Sequence, residues 1–289
     1  MIEIDRYFKH RLAKLGYDDD MDVRYSLSYS QGDGMAFYGK IDTHAPLIER
    51  FKAHLESGQA TVYKRLKTRR SIESLNRYIE ILVEWSTAVV VISPTGNGRY
   101  HGPNSMNVET EALLGEELID LAEDDNYDVG DRPAVISSIT QGEPLWDSYL
   151  EWLREDGSAI SHALEREGYN ILDAMVSEPR VVWEKTTPQY SVVVELQGDE
   201  DALDSWDSEI AIDTLCEFAA EKGACYWLNA KVECLETGVQ LAQTTLGGIH
   251  TTKSLQDANG RDNGYLADLV YEAIKDAKAK VCQHSAIAA

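Results

Sequence analysis

Apolar and polar residues alternate over two stretches near the start of the chain. In residues 22–30, Val23 and Tyr25 stand between polar residues, and the pattern continues through a run of serines. A period of two predicts a half-buried antiparallel strand. Residues 35–42 read as its partner, and Asp33 between two glycines favours a primed Asp-Gly turn. The pattern therefore predicts a β-hairpin whose tip carries the carboxylate of Asp33.

Apolar residues three and four positions apart predict the helices. The predicted helices cover residues 2–15, 44–58, 144–156, 158–174, 202–222 and 264–281. Gly16 is placed to end the first helix, and Pro46 falls in the first turn of the second. Residues 71–85 fit either a helix or a strand.

Alternation and β-branched runs predict the remaining strands. These strands cover residues 59–71, 87–94, 105–113 and 191–198, and two or three more lie within 224–253. The stretch 59–71 carries five basic residues, which either bind anions or pair with acidic surface. Residues 176–190, with two prolines, are expected to connect two domains.

Together these elements predict an α+β fold of antiparallel sheets packed with helices, in two domains. The N-terminal domain, 1–178, contains the hairpin. The C-terminal domain, 185–289, has the order β-α-β-β-α. A length of 289 residues agrees with two domains.

Several features favour a cytoplasmic location. No apolar run reaches 18 residues, so no membrane span is expected, and the N-terminus lacks the apolar stretch of a signal peptide. The four cysteines form neither a C-x-x-C motif nor a zinc-finger spacing, which indicates reduced thiols. No metal or cofactor is expected, and oligomerisation is left open.

Acidic residues dominate the charge of the chain. Fifty aspartates and glutamates against 27 lysines and arginines give a net charge of −23. Direct binding of nucleic acid is disfavoured, because neutralising phosphates requires a basic surface. An acidic surface instead aids solubility, repels wrong partners or docks on a positively charged protein groove.

The acids concentrate in two runs that contain no lysine or arginine. The first run consists of Glu109, Glu111, Glu116, Glu117, Asp120, Glu123, Asp124, Asp125, Asp128 and Asp131. The second run consists of Asp199, Glu200, Asp201, Asp204, Asp207, Glu209, Asp213, Glu217 and Glu221. On helices, the acids at 116, 120, 123 and 124 share one face, as do those at 209, 213 and 217. Such rows of like charge slightly destabilise a helix, so they either form a solvated face or imitate a track of phosphates.

Conventional catalytic motifs are weak in this sequence. The loop 93–105 follows a strand but lacks the lysine and hydroxyl of a phosphate-binding loop. His101 in that loop is a candidate acid or base, without a G-x-S-x-G motif to accompany it. One alternative function is therefore a metal-dependent hydrolase or nucleotide-degrading enzyme that uses Asp33 and His101, with Glu109 as a further candidate.

Three segments resemble an uncharacterised protein family of phages and mobile elements. They are S-Q-G-D-G with its flanking strands, the later R-Y-x-H stretch, and the helical region that carries Trp and Tyr, and together they span about residues 20–175. The C-terminal domain resembles other small plasmid and phage proteins. The resemblance implies a mobile-element origin and supplies no catalytic residues.

This origin and the clustered acids lead to one main hypothesis. The chain is expected to inhibit a host defence complex of the restriction or CRISPR type, in the manner of nucleic-acid-mimicking antirestriction and anti-CRISPR proteins. Its partner would be a basic, nucleic-acid-binding host protein or complex in the bacterial cytoplasm. An acidic oligomeric scaffold is the other alternative.

Overall fold

The computed structural model describes most of the chain. It covers residues 4–57, 62–85, 90–95, 106–111, 115–124, 131–204, 206–261 and 264–287, with the backbone alone at 62–69 and 283–287. The elements, in chain order, are α1 (Ile4–Lys14), β1 (Asp22–Ser26), β2 (Gly34–Ile41), α2 (Ala45–Ser57), α3 (Val62–Trp85), β3 (Val90–Pro94), β4 (Met106–Thr110), α4 (Gly115–Glu123), α5 (Arg132–Met175), β5 (Arg180–Thr186), β6 (Tyr190–Gly198), α6 (Ser208–Ala219), β7 (Ala224–Cys234), β8 (Val239–Thr251) and α7 (Tyr265–Ile287).

These elements form two compact units, each with one antiparallel sheet. The N-terminal unit is Phe8–Glu165, with strand order β1-β2-β3-β4. The C-terminal unit is Met1–Tyr7 with Arg166–Ala289, with strand order β5-β6-β7-β8. The predicted α+β class, with antiparallel sheets and helices, is confirmed. The division between the units falls within α1 and α5.

The core of the N-terminal unit is built on β2 and on aromatic residues of α2 and α5. Phe37 on β2 is fully buried and meets the ring of Tyr17 edge-on, at 4.9 Å between centroids. Phe51 on α2 packs against Tyr149 and Trp152 on α5. Large aromatic side chains contribute much of the apolar area that such a core removes from water.

The C-terminal unit follows its predicted order closely. Alternate residues of β6, Val192, Val194 and Leu196, are buried on one sheet face, as the period of two requires. The buried Leu269 and Ala273 lie on α7, which packs mainly on β7 and β8. Predicted helix 202–222 is shorter, since α6 covers Ser208–Ala219.

The predicted strand 59–71 is wrong, because helix α3 begins at Val62 and continues to Trp85. The buried side chains of Ile72, Leu75, Ile79 and Leu82 recur at helical spacing and explain the helix. The ambiguous stretch 71–85 belongs to the same helix. A short alternation at its N-terminal end was therefore overridden by the longer helical pattern that follows it.

The two predicted helices 144–156 and 158–174 are one continuous helix, α5, which begins earlier, at Arg132. Pro144 and Gly157 both lie inside it. A Cβ at position 157 would stand 2.9 Å from Cδ1 of Ile92. The glycine therefore permits close packing of the helix on β3, and it does not end the helix.

The predicted connection 176–190 is also wrong, because it contains strand β5, which pairs antiparallel with β6. Pro179 immediately precedes this strand and Pro188 lies in the turn that follows it. Proline has no N–H to donate to the ladder, so it is confined to positions such as strand starts and turns, where that N–H is not needed. The predicted domain limit at 178–185 thus falls within the C-terminal unit.

Candidate functional site

The S-Q-G-D-G segment forms a hairpin with a long loop. Strands β1 and β2 pair antiparallel, and their last paired residues are Ser26 and Gly34. The predicted strand 22–30 therefore ends four residues early, and the expected two-residue Asp-Gly turn is replaced by the loop 27–33. Tyr29 adopts a left-handed backbone conformation at φ +55° with its side chain exposed.

The carboxylate of Asp33 holds this loop together. Its Oδ2 accepts hydrogen bonds from the backbone N–H of Ser28 at 2.8 Å and of Ser30 at 2.9 Å. Its Oδ1 accepts from the hydroxyls of Ser26 and Ser28, both at 2.8 Å. Aspartates commonly organise turns in this way. Asp33 therefore has a structural role in the loop, while His101 lies outside the described residues.

Helix α4 presents the clearest acidic surface of the first run. Its apolar side is buried through Leu118 and Ala122, whereas Glu116, Asp120 and Glu123 are exposed. At a rise of about 1.5 Å per residue, these carboxylates stand about 6 Å and 4.5 Å apart along the helix axis. Within the described residues, no ion pair engages these three side chains. They form an open carboxylate row.

The start of α4 is stabilised by another acid. Oε1 of Glu143, on α5, accepts a hydrogen bond from the backbone N–H of Gly115 at 2.8 Å. A carboxylate at a helix N-terminus satisfies a free donor and interacts favourably with the helix dipole. Gly115 is buried against the carboxylate of Glu143, which would have to move to admit a Cβ at this position. The row is therefore carried on a helix whose N-terminus is fixed to α5.

Other acids of the first run lie around α4 in different settings. Glu109 and Glu111 are exposed on and after β4, Glu117 is exposed on α4, and Asp124 is exposed just after it. Asp131 accepts a hydrogen bond from the backbone N–H of Ala134 at 3.3 Å, at the start of α5. Its carboxylate thus serves as a helix cap. Asp125 and Asp128 lie outside the described residues.

In the second run, several acids stabilise the C-terminal unit. Oδ2 of Asp199 accepts a hydrogen bond from the backbone N–H of Gly248 at 2.7 Å. Asp207 is the N-cap of α6 and accepts from the backbone N–H of Glu209 at 2.9 Å. Glu217 lies 3.6 Å from Nε2 of His250. Asp199 and Asp207 therefore already have hydrogen-bond partners within the fold, whereas Glu217 forms an ion pair only when the imidazole of His250 is protonated.

Helix α6 carries the second row. Glu209, Asp213 and Glu217 are exposed, whereas Leu215 and Phe218 on the other side are buried. Glu200, Asp201, Asp204 and Glu221 are exposed in the turns before and after the helix. The predicted sharing of one face at positions 209, 213 and 217 agrees with this placement.

A buried polar cluster in the N-terminal unit was not expected from the sequence. Arg50 on α2 donates to Asp156 on α5 at 2.6 Å, and Tyr17 donates to the same carboxylate at 3.2 Å. Burial raises the pKa of Asp156, and the nearby Arg50 guanidinium opposes this shift without cancelling it. The partners are far apart in sequence, so no local motif indicates them. Their contacts tie α2 and the segment at Tyr17 to α5.

The described residues contain neither a metal-ligand cluster nor a membrane-spanning helix. Among these residues, no group of three or more His, Cys, Asp or Glu side chains is arranged to hold a metal ion. None of the helices there is long and apolar enough to cross a bilayer.

Comparisons with protein-family models, with curated proteins and with solved structures found no match to this chain. The candidate site is therefore defined by its geometry, as two rows of exposed carboxylates on α4 and α6.

Proposed function

We propose that this chain is a phage- or plasmid-encoded inhibitor of a host defence nucleoprotein complex of the restriction or CRISPR type. Its acidic surface would imitate DNA and block a basic groove, in the cytoplasm of the bacterial host. The observation that supports this proposal best is the open row of Glu116, Asp120 and Glu123 on α4. The mechanism is steric and electrostatic and requires no chemical step.

Charge spacing supports the mimicry. Duplex DNA carries about one negative charge per 1.7 Å of axis, so a single row with steps of about 5 Å is sparser. Glu117 on α4 and Glu109 on β4 are exposed carboxylates of the same unit. Because a basic groove binds phosphates largely through charge, several rigidly held carboxylates suffice to compete for part of it.

The row on α6 gives the C-terminal unit a second acidic face of the same kind. Like charges four residues apart on a helix cost a few tenths of a kcal/mol per pair. Interspersed lysines would remove this cost, and neither row contains one. Binding of a basic partner accounts for the carboxylate rows on α4 and α6, which slightly destabilise the helices that carry them.

The decisive experiment measures protection of phage by the expressed chain. Unmodified phage is plated on bacteria that carry a restriction complex or a CRISPR complex, with and without the chain. The expected result is a higher plating efficiency on at least one of these hosts. In the triple variant Glu116→Lys, Asp120→Lys and Glu123→Lys, we expect this protection to be lost, because the reversed charges repel a basic groove.

A matched control separates the position of the charges from their number. Asp147, Glu151 and Glu155 form an exposed row on α5 with similar spacing, outside both acidic runs. Reversing these three acids to lysine changes the net charge by the same amount and should leave protection intact. Equal loss in both triple variants, or no protection by the wild-type chain, would reject mimicry through α4.

A further inference from the structure

An apolar groove of about 400 Å³ lies between one face of the second sheet and the C-terminal half of α7. Register pairs Trp183 with Val194 and Lys185 with Val192, which places these side chains on the sheet face that α7 covers. Because α7 packs mainly on β7 and β8, this face is partly open at β5. Trp183 is half-buried there and Lys185 is exposed.

The floor and walls of the groove are apolar. Val192 and Val232 are buried on the sheet, and Ile274 and Val281 line the side formed by α7. Tyr190 extends the aromatic wall that begins with Trp183. Pockets for small molecules are typically about 300–1,000 Å³ and mostly apolar, with a few polar groups that orient the ligand. The groove has the size and lining of such a pocket.

The charged groups at this groove are cationic, while Thr187, Tyr190 and Cys282 add neutral polar groups to its lining. Lys185 on β5 and Lys278 on α7 both line it, and its described lining contains no carboxylate. In the described part of the chain, neither ammonium group forms an ion pair. In a chain with a net charge of −23, an apolar groove with two lysines and no acid has a charge opposite to that of the molecule as a whole. This charge complements an anionic head group.

We propose that the groove binds a single-chain amphiphile with an anionic head group, such as a medium-chain fatty carboxylate. The alkyl chain lies against Val192, Val232 and Ile274, where it is removed from water. The carboxylate lies between the ammonium groups of Lys185 and Lys278. This inference is independent of the proposed inhibition of host defence, because it rests on a different surface and different residues.

Calorimetric titration with decanoate, below the concentration at which it forms micelles, tests the proposal. We expect decanoate to bind with one site per chain, and 1-decanol and decyltrimethylammonium, which have the same tail, to bind at least about tenfold more weakly. The double variant Lys185→Glu with Lys278→Glu should also weaken decanoate binding at least about tenfold. Lys222→Glu with Lys253→Glu makes the same charge change outside the groove lining and should bind like wild type.

A second variant tests the location of the alkyl chain. Ile274→Trp places a larger side chain in the groove and should abolish decanoate binding, while circular dichroism confirms that the variant is folded. The proposal is overturned if wild-type protein does not bind decanoate, or if the alcohol binds equally well. Unchanged affinity in the Lys185/Lys278 double variant or in folded Ile274→Trp would also overturn it.

Discussion

The ion pair between Arg50 and Asp156 allows a quantitative test of the packing of the N-terminal unit. The two side chains are 29% and 15% exposed, and their nitrogen and oxygen atoms are 2.6 Å apart. Arg50 also donates to the backbone carbonyl of Leu15 at 3.1 Å and lies 5.6 Å from the ring centroid of Trp152. Removing Asp156 would therefore leave a partly buried guanidinium that keeps some of its contacts.

The expected cost of Asp156→Leu is about 2 kcal/mol of unfolding free energy. Breaking a fully buried pair costs about 3–5 kcal/mol, and the partial exposure of Arg50 and its remaining contacts reduce that figure. The double variant Arg50→Met with Asp156→Leu replaces both charges with apolar groups and should recover most of the loss. Urea denaturation, followed by circular dichroism at neutral pH, measures all four members of this double-mutant cycle.

The pH dependence of the same pair has a defined sign. Burial, the largest influence, raises the pKa of Asp156 above its usual value of 3.8. The folded state therefore holds this proton more tightly than the unfolded state does. Stability from this group is complete below pH 3.8 and is lost as the pH rises through the raised pKa. The stability of wild type relative to Asp156→Asn should accordingly decrease over that range.

Two outcomes would refute this reasoning. If the single substitutions at Arg50 and Asp156 add to within about 0.5 kcal/mol, the pair has no measurable coupling. If wild type instead gains stability relative to Asp156→Asn as the pH rises above 3.8, the attraction of Arg50 outweighs burial, and the pKa of Asp156 is lowered in the folded protein.

Two further predictions concern other groups in the N-terminal unit. Asp33→Ala removes the acceptor for the N–H groups of Ser28 and Ser30 and should destabilise the hairpin loop by about 1 kcal/mol. A protease should therefore cut this variant within residues 27–33 faster than it cuts wild type or Asp33→Asn. Equal cleavage rates would contradict the structural role of Asp33. Burial lowers the pKa of His44, whose ring contacts the hydroxyl of Tyr149. The protein should therefore lose stability as the pH falls through 6.5 toward the lowered pKa, because the unfolded chain binds the proton first. Urea denaturation should show a smaller loss of stability in His44→Gln, and an equal loss would contradict the lowered pKa of His44.

Local patterns predicted the elements whose apolar residues repeat over several turns or alternate through a whole strand. Helix α1 ends at Lys14, one residue before the predicted limit, and Gly16 follows it with a φ of +87° that an L side chain rarely adopts. The alternation in β6 and the helical stripe of α7 also identified these two elements correctly. In each case the nearest neighbours in sequence already determine which side of the element is buried.

Apart from the stretch 59–71, the wrong predictions arose where distant contacts determine the local structure. Pro179 and Pro188 suggested a linker, but β5 between them is held by its ladder with β6. Gly157 suggested a helix break, but the close approach of Ile92 explains why position 157 has no side chain. The acceptor role of Asp199 likewise depends on Gly248, 49 positions away. Such roles depend on tertiary contacts that a window of ten or twenty residues does not contain.

The acidic residues likewise fall into two groups, those with hydrogen-bond partners in the fold and those on exposed helix faces. Asp131, Asp199 and Asp207 accept backbone hydrogen bonds, so their presence is explained by folding, even though they lie within the two acidic runs. The exposed rows that contain Asp120 and Asp213 have no such explanation, because their like-charged neighbours oppose helix formation slightly. Net charge alone therefore overstates the surface available to the proposed basic partner, and a test of that proposal should concentrate on α4 and α6.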